Sequence, residues 1–266
     1  MKKRVISAAI IIPIVVLAIY FSGIVFHLTV LAIMLGAIYE MKKALKLVEI
    51  NTMMIMNYVY AIIAAVTVYF GEGKHLLAIL LLFSVITFSI SMLLPKYDVK
   101  DAIATVFVFI YPTTLILLLN VLEQYGREFI IGAVIASVIT DTAAFFVGRR
   151  FGEAKLCPTI SPNKTVAGAI GGAVASLVLF TIYWLIIALV QGTPIGVTQV
   201  FMWILLALLC GIFAQLGDLF ASSIKRYCGL KDFSNLIPGH GGIMDRLDSI
   251  MFTTVLVYLF KALGII

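Results

Sequence analysis

Nine apolar runs, each close to the ~20 residues that a helix needs to cross a bilayer, fill most of this chain and constrain it more than any other feature. They lie at 5–22, 24–40, 53–70, 76–94, 102–122, 129–148, 168–190, 199–222 and 247–265. In lipid a backbone has no water to bond, so spanning segments of this length are helices that satisfy their own N–H and C=O groups. The expected fold is an all-α, polytopic integral membrane bundle of about nine transmembrane helices. The first two runs part only around Ser22 and Gly23, which predicts a tight helical hairpin or one broken helix. Only 12% of residues are charged, against about 25% in soluble domains, and 63% are hydrophobic, more than a soluble core of this size uses.

Orientation follows from the basic residues. With the N-terminus in the cytoplasm, every Lys and Arg except Lys74, Arg127 and Lys261 lies on the inner side. Lys2, Lys3 and Arg4 mark the tail, Lys42, Lys43 and Lys46 the next inner loop, and Lys96 and Lys100 the third. Arg149, Arg150, Lys155 and Lys164 mark the fourth, and Lys225, Arg226, Lys231 and Arg246 the last. Positive charge collects on the cytoplasmic side of membrane proteins, and a missed or extra span in the middle would scramble this split. The two longest loops, 149–167 and 223–246, are then both cytoplasmic. A multi-pass protein of the cell membrane is expected, with its chemistry facing the cytoplasm. The division expected is 1–122, the N-terminal transmembrane helices of the first five runs, and 123–266, a catalytic transmembrane region carrying both loops.

The net charge of +6 serves orientation in this reading. No Lys/Arg run is interleaved with aromatic residues, and no nucleic-acid partner is expected. The opening basic residues and the apolar stretch 5–20 resemble a signal peptide, but no small-x-small cleavage site follows, so a retained first helix is expected. Cys157, Cys210 and Cys228 show neither CxxC nor His/Cys spacing, which argues against a zinc site. A disulfide is not expected in loops that face a reducing cytosol.

Carboxylates inside transmembrane runs are expensive, and two are present. Asp141 lies in Ser137-Val-Ile-Thr-Asp141, and Asp218 in Ala214-Gln-Leu-Gly-Asp218, both in the cytoplasmic halves of their runs. The alternative for each is a helix carboxylate that reaches headgroups or pairs with a loop Arg. Asp218 opens a polar stretch that supplies Lys225, Arg226 and Lys231 as phosphate-binding charge, and glycines that allow close backbone approach. It re-enters an apolar helix through Asp245 and Asp248, which at i and i+3 share one face. Asp218, Asp245 and Asp248 are hard oxygen donors suited to one or two Mg²⁺ ions. Phosphoryl and nucleotidyl transfer need charge neutralisation and in-line positioning, so the residues point to a membrane-interface site for a phosphate-bearing substrate. A solvated basic loop with carboxylates at a helix start is the bland alternative. In the other loop, Ser161, Lys164 and Thr165 precede a glycine-rich helix start, a ready anion site; Gly168, Gly171 and Gly172 also suit close helix packing.

These motifs resemble a known family. Ser222-x-Ile-Lys-Arg226, Lys231-Asp232 and Pro238-x-His-Gly-Gly-x-x-Asp-Arg-x-Asp248 are similar to the signature of phosphatidate cytidylyltransferases, also called CDP-diacylglycerol synthases. Asp141 with Ala144, Gly148-Arg149, Gly152, Ile160-Ser-Pro-x-Lys-Thr165 and Gly168 also look like that family. Ala167 departs from it where many members carry Glu. The motifs cover 141–248; before that only the hydropathy is similar. The resemblance implies a transferase that makes CDP-diacylglycerol and pyrophosphate from CTP and phosphatidic acid in phospholipid biosynthesis. It implies Mg²⁺ at Asp218, Asp245 and Asp248, and a homodimer in membrane lipid.

On that reading Lys225 and Arg226 join the catalytic carboxylates, with Lys231 beside the triphosphate. Ser161, Lys164, Thr165, Ser222, Arg246 and Asp141 are expected to contact substrate. His240 either orients a phosphate or transfers a proton, or only stabilises its glycine turn. A CTP-dependent polyprenol kinase, or a cytidylyltransferase for an ether lipid, would use the same logic; the run 238–248 favours the diacyl enzyme. An ion transporter built on Asp141 and Asp218 is disfavoured, since no internal repeat is present and the carboxylates gather toward one face. A CDP-alcohol phosphotransferase is disfavoured because its Asp-Gly-x-x-Ala-Arg run is missing.

Overall fold

The computed structural model describes residues 2–71, 73–239 and 241–266. The helices are α1 (Lys2–Phe21), α2 (Gly23–Lys46), α3 (Met54–Gly71), α4 (Leu76–Leu93), α5 (Val99–Val108), α6 (Leu115–Tyr125) and α7 (Arg127–Phe151). After a hairpin of β1 (Lys155–Cys157) and β2 (Ser161–Thr165) come α8 (Val166–Gln191), α9 (Val197–Tyr227) and α10 (Met244–Ala262). Each expected apolar run coincides with helix to within a few residues. Among the described residues, seven segments are long and apolar enough to cross a bilayer: α2, α3, α4, the stretch Val99–Tyr125, α7, α8 and α9. This is a multi-pass, all-α membrane bundle; its only strands among the described residues are the short hairpin, which the sequence left as loop. Helix α4 shows why water cannot be its solvent: Leu77, Leu81, Leu82, Val85, Phe88 and Met92 are all exposed, a larger apolar face than a soluble monomer carries.

The chain forms two compact units. The first comprises Met1–Arg127 together with Ile224–Leu247, so the second polar loop belongs with the N-terminal helices. Its core is the face of α2 formed by Met34, Ala37, Ile38, Met41 and Ala44, with Tyr60, Ala61 and Ala64 of α3 and Ile116 and Leu117 of α6, all fully buried. Ser22 and Gly23 both take positive φ and end α1, so the first two runs are separate helices. Glu123 accepts from Gly23 N–H at 2.9 Å, and Arg127 donates to Ser22 Oγ at 2.7 Å, which anchors that break.

The run 102–122 is kinked. Proline disfavours helical backbone in the residue before it, and Tyr111, before Pro112, is extended at φ −118°, ψ 114° inside the π-helical stretch Phe109–Thr114. Thr114 Oγ1 donates to the Phe109 carbonyl at 2.6 Å and lies 2.6 Å from Tyr60 Oη, so a side chain satisfies backbone there. Asp98 and Asp101 form a capping box at the start of α5, and Asp101 also accepts from Asn51 N–H at 2.5 Å.

The second unit comprises Glu128–Ser223 and Asp248–Ile266. Small residues let its helices approach, as membrane packing requires. A Cβ on Gly172 would lie 2.9 Å from the Thr140 carbonyl, and one on Gly211 would lie 2.9 Å from Ala173 Cα. Ser176 Oγ donates to the Ala207 carbonyl and Thr253 Oγ1 to the Ala133 carbonyl, each at 2.8 Å. Gly168, Gly171 and Gly172 all face α7 backbone or side chains, so close packing is what these glycines do.

Candidate active site

In the second unit the site grows from one helix crossing. A Cβ on Gly217 would run into the Asp248 carbonyl and lie 2.9 Å from the Phe252 ring, so α9 and α10 touch through backbone there. The crossing places Asp218, the next residue, beside the start of this unit's share of α10. Ser222, one turn along α9, donates to Asp218 Oδ1 at 3.3 Å. Lys164 of β2 reaches Asp218 Oδ2 at 2.7 Å and donates to the Gln215 carbonyl at 3.3 Å. Both partners keep access to solvent, with side chains 22% and 28% exposed.

The hairpin aims that lysine. Residues alternate faces along a strand, so Lys164 and Thr165 point to opposite sides of β2. Thr165 is buried and caps α8, accepting from Gly168 N–H at 3.1 Å. Gly148 and Gly168 crowd the Thr165 hydroxyl, at 2.8 and 3.0 Å from an imagined Cβ, and Gly152 is closer still. Its hydroxyl oxygen caps its own helix, and Lys164 is the group of this loop that meets Asp218. Ser161 is half-buried at the other end of β2, and Asp141 stands exposed on α7. Gln215, which the sequence did not single out, ties α9 to α8 by donating to the Ala169 and Gly211 carbonyls at 3.1 and 2.8 Å.

The first unit holds a second arrangement, inside the 224–247 loop. Lys225 and Asp245 pair at 2.7 Å with side chains only 9% and 4% exposed. The other Asp245 oxygen accepts from Phe233 N–H and Gly242 N–H, each at 2.9 Å. Lys225 also lies 5.5 Å from the centre of the Phe233 ring. Asp245 thus has donors on both oxygens from within its own loop. Arg226, Lys231 and Arg246 are exposed, and Arg226 donates to the Leu230 carbonyl at 2.9 Å. Gly239 and Gly241 take φ of 81° and 82°, the left-handed region that suits glycine, in the turn closed by Ile237 N–H on the Gly241 carbonyl at 2.9 Å. His240 lies outside the described residues.

One residue of this unit escaped the sequence reading. Glu40, at the end of α2, is fully buried and receives Ser234, Ile243 and Met244 of the loop. It belongs to no sequence motif, and no spacing links it to residues 194 or more positions away. Among the described residues, no three His, Cys, Asp or Glu side chains gather closely enough to enclose a metal by themselves. The three cysteines are free, and burial pushes the Cys228 thiol above its ordinary range.

Comparison with known proteins bears on these residues. The model of the cytidylyltransferase family matches residues 2–263. A phosphatidate cytidylyltransferase of Bacillus subtilis (strain 168) is 45% identical over 142 residues, 53% of this chain and 50% of that protein. One from Staphylococcus saprophyticus is 40% identical over 134 residues, and one from Staphylococcus aureus (strain COL) 41% over 134, each match covering 50% of this chain and 48% of the relative. The chain spans about half the length of the relatives it matches.

Proposed function

The chain belongs to the cytidylyltransferase family, and on that premise we propose that it transfers CMP from CTP to phosphatidic acid. The products are CDP-diacylglycerol and pyrophosphate. The observation that carries the reading is the Asp218 cluster, where a part-exposed carboxylate and lysine meet a hydroxyl in the C-terminal half of a transmembrane helix.

A phosphate oxygen of phosphatidic acid attacks the α-phosphorus of CTP. The new P–O bond forms as the bond from the α-phosphorus to the bridging β-oxygen breaks, and pyrophosphate leaves with that electron pair. The attacking phosphate is already ionised near neutral pH, so the chain has charge to manage rather than a proton to remove. Two anions must meet, and positive groups placed where charge develops lower the barrier most. In the second unit Lys164 is the mobile cation: released from Asp218, its ammonium binds a substrate phosphate. In the first unit Arg226, Lys231 and Arg246 are exposed and take the triphosphate and the departing pyrophosphate, while Lys225 is held by Asp245.

The donor set fits a hard cation. Mg²⁺ uses one or two carboxylates plus waters and substrate phosphates rather than a full protein cage. Asp218, Asp245 and Asp248 are the carboxylates proposed to hold it. When bound, Mg²⁺ neutralises phosphate charge and orients the α-phosphoryl group. The reading places the site on the cytoplasmic face, where CTP is supplied, with the lipid entering sideways from the bilayer. It includes a homodimer, checked by the particle mass in micelles.

The test is Mg²⁺-dependent transfer of label from CTP to phosphatidic acid by the purified protein, beside Asp218→Asn. Lipid-linked CMP from the parent and its loss in the variant is the expected result. Labelled CDP released with a phosphorylated lipid would replace this reading with a CTP-dependent lipid kinase.

A further inference from the structure

We infer that Glu40 is a positioning residue for this reaction, holding the 233–245 loop and the first turn of α10 in working form from a helix outside every sequence motif. The inference rests on the functional reading above. Glu40 Oε1 accepts from Ser234 Oγ at 2.5 Å and from Ile243 N–H at 2.9 Å, and Oε2 accepts from Met244 N–H at 2.9 Å. A buried carboxylate is costly unless hydrogen-bonded, and this one, at 0% exposure, has donors on both oxygens. The Ile243 and Met244 amides stand at the start of α10, where N–H groups have no partner within the helix and the dipole favours an anion. Such a cap ordinarily comes from the residue just before the helix. Here it comes from 203 positions upstream.

Both sides of the contact are shaped for it. Gly36, one turn before Glu40 on α2, faces Ile243, whose side chain would collide with a Cβ. A Cβ on Gly242 would lie 2.5 Å from Glu40 Oε1 and 2.6 Å from Oε2. Ala37 and Met41, flanking Glu40, are fully buried, so the carboxylate sits on a rigid support. The stretch 242–244 is gripped from two directions: Glu40 takes the Ile243 and Met244 amides, and Asp245 takes the Gly242 amide while holding Lys225. Displacing Glu40 therefore shifts Asp245 and Lys225, although Glu40 touches no substrate.

The test compares Glu40→Gln, Gly242→Ala and the double variant Glu40→Gln/Gly242→Ala in the full chain. Gln is isosteric, but one of its ends must turn an NH₂ toward N–H or O–H donors. Two quantities are read: hydrogen exchange of the Ile243 and Met244 amides in micelles, and CMP transfer as a function of Mg²⁺. In Glu40→Gln, exchange should quicken by about tenfold or more and kcat should fall by a similar factor. The Mg²⁺ concentration for half-maximal rate should also rise, which a mere loss of folded protein would not cause. Gly242→Ala should do the same, and the double variant should be no worse than either single change, because the two act through one contact. Parent-like exchange in Glu40→Gln overturns the inference, as does faster exchange with unchanged kcat and Mg²⁺ dependence. Should Glu40→Gln fail to accumulate, Ser234→Ala, which removes one donor of three, is expected to show a smaller shift of the same kind. A parent protein without CMP transfer overturns the functional reading alone, and exchange still decides whether Glu40 holds the loop.

Discussion

Each of the two units contains a lysine–aspartate pair at 2.7 Å, and the pairs are built for different work. Lys225–Asp245 is buried, and Asp245 accepts two backbone amides as well. Lys164–Asp218 is part-exposed, with one hydroxyl as its further partner on the carboxylate. Breaking a buried pair strands a charge, whereas an exposed pair exchanges easily with water and ions. The same two residue types therefore make a structural lock in one unit and a displaceable pair in the other. Distance alone does not tell them apart; burial and the remaining hydrogen bonds do.

The largest effect should come from the lock. Asp245→Asn leaves the Lys225 ammonium buried without its counter-charge, a loss of about 3–5 kcal/mol on the scale of broken buried pairs. A thermal melt in micelles should show a large drop in Tm, and CMP transfer should fall with it. Replacing both partners by apolar residues, as in Lys225→Met/Asp245→Leu, should recover part of the Tm and none of the activity. If Asp245→Asn melts like the parent, the contrast between the two pairs is broken.

Asp218→Asn should reverse the pattern. Its Tm should stay near the parent's, while CMP transfer falls by at least about a hundredfold, since charge stabilisation at the reacting phosphates is lost. Lys164→Met should cost about 1 kcal/mol or less in stability, as for other exposed pairs, and should raise KM for the anionic substrates more than it lowers kcat. A large Tm loss in either variant would make the second pair a lock like the first.

The smallest effect is in the thiols. Cys228, in the first unit's loop, is buried and its pKa is raised by that burial, so its reactive thiolate stays scarce at neutral pH and grows as pH rises. Cys157, in the second unit's hairpin, is only half-buried. Maleimide labelling at neutral pH should modify Cys157 first, by about tenfold or more in rate. Glu40→Gln should narrow that gap by loosening the loop around Cys228; an unchanged gap would separate Cys228 from the clamp.

Much of this was legible in the chain itself. Apolar runs of bilayer length leave helices as the only structure that satisfies the backbone in lipid, so the all-α membrane bundle needed no tertiary information. Asp218 stood out in the sequence because a carboxylate inside an apolar run is costly, but its pairing with Lys164 and Ser222 came from the fold. The tertiary structure decided which groups each polar side chain meets. Thr165 reads in the sequence as a substrate contact, and the fold adds that its hydroxyl oxygen caps α8 under the crowding of Gly148 and Gly152. Asp245 reads in the sequence as one of three carboxylates, and the fold adds that its oxygens accept from Lys225, Phe233 and Gly242. Glu40 belongs to no motif, and only the fold brings Ile243 and Met244 to it. Periodicity and hydropathy act over a few turns of helix and are written in the sequence. The partner of a buried charge is set by which distant segments pack together, and no local pattern carries that.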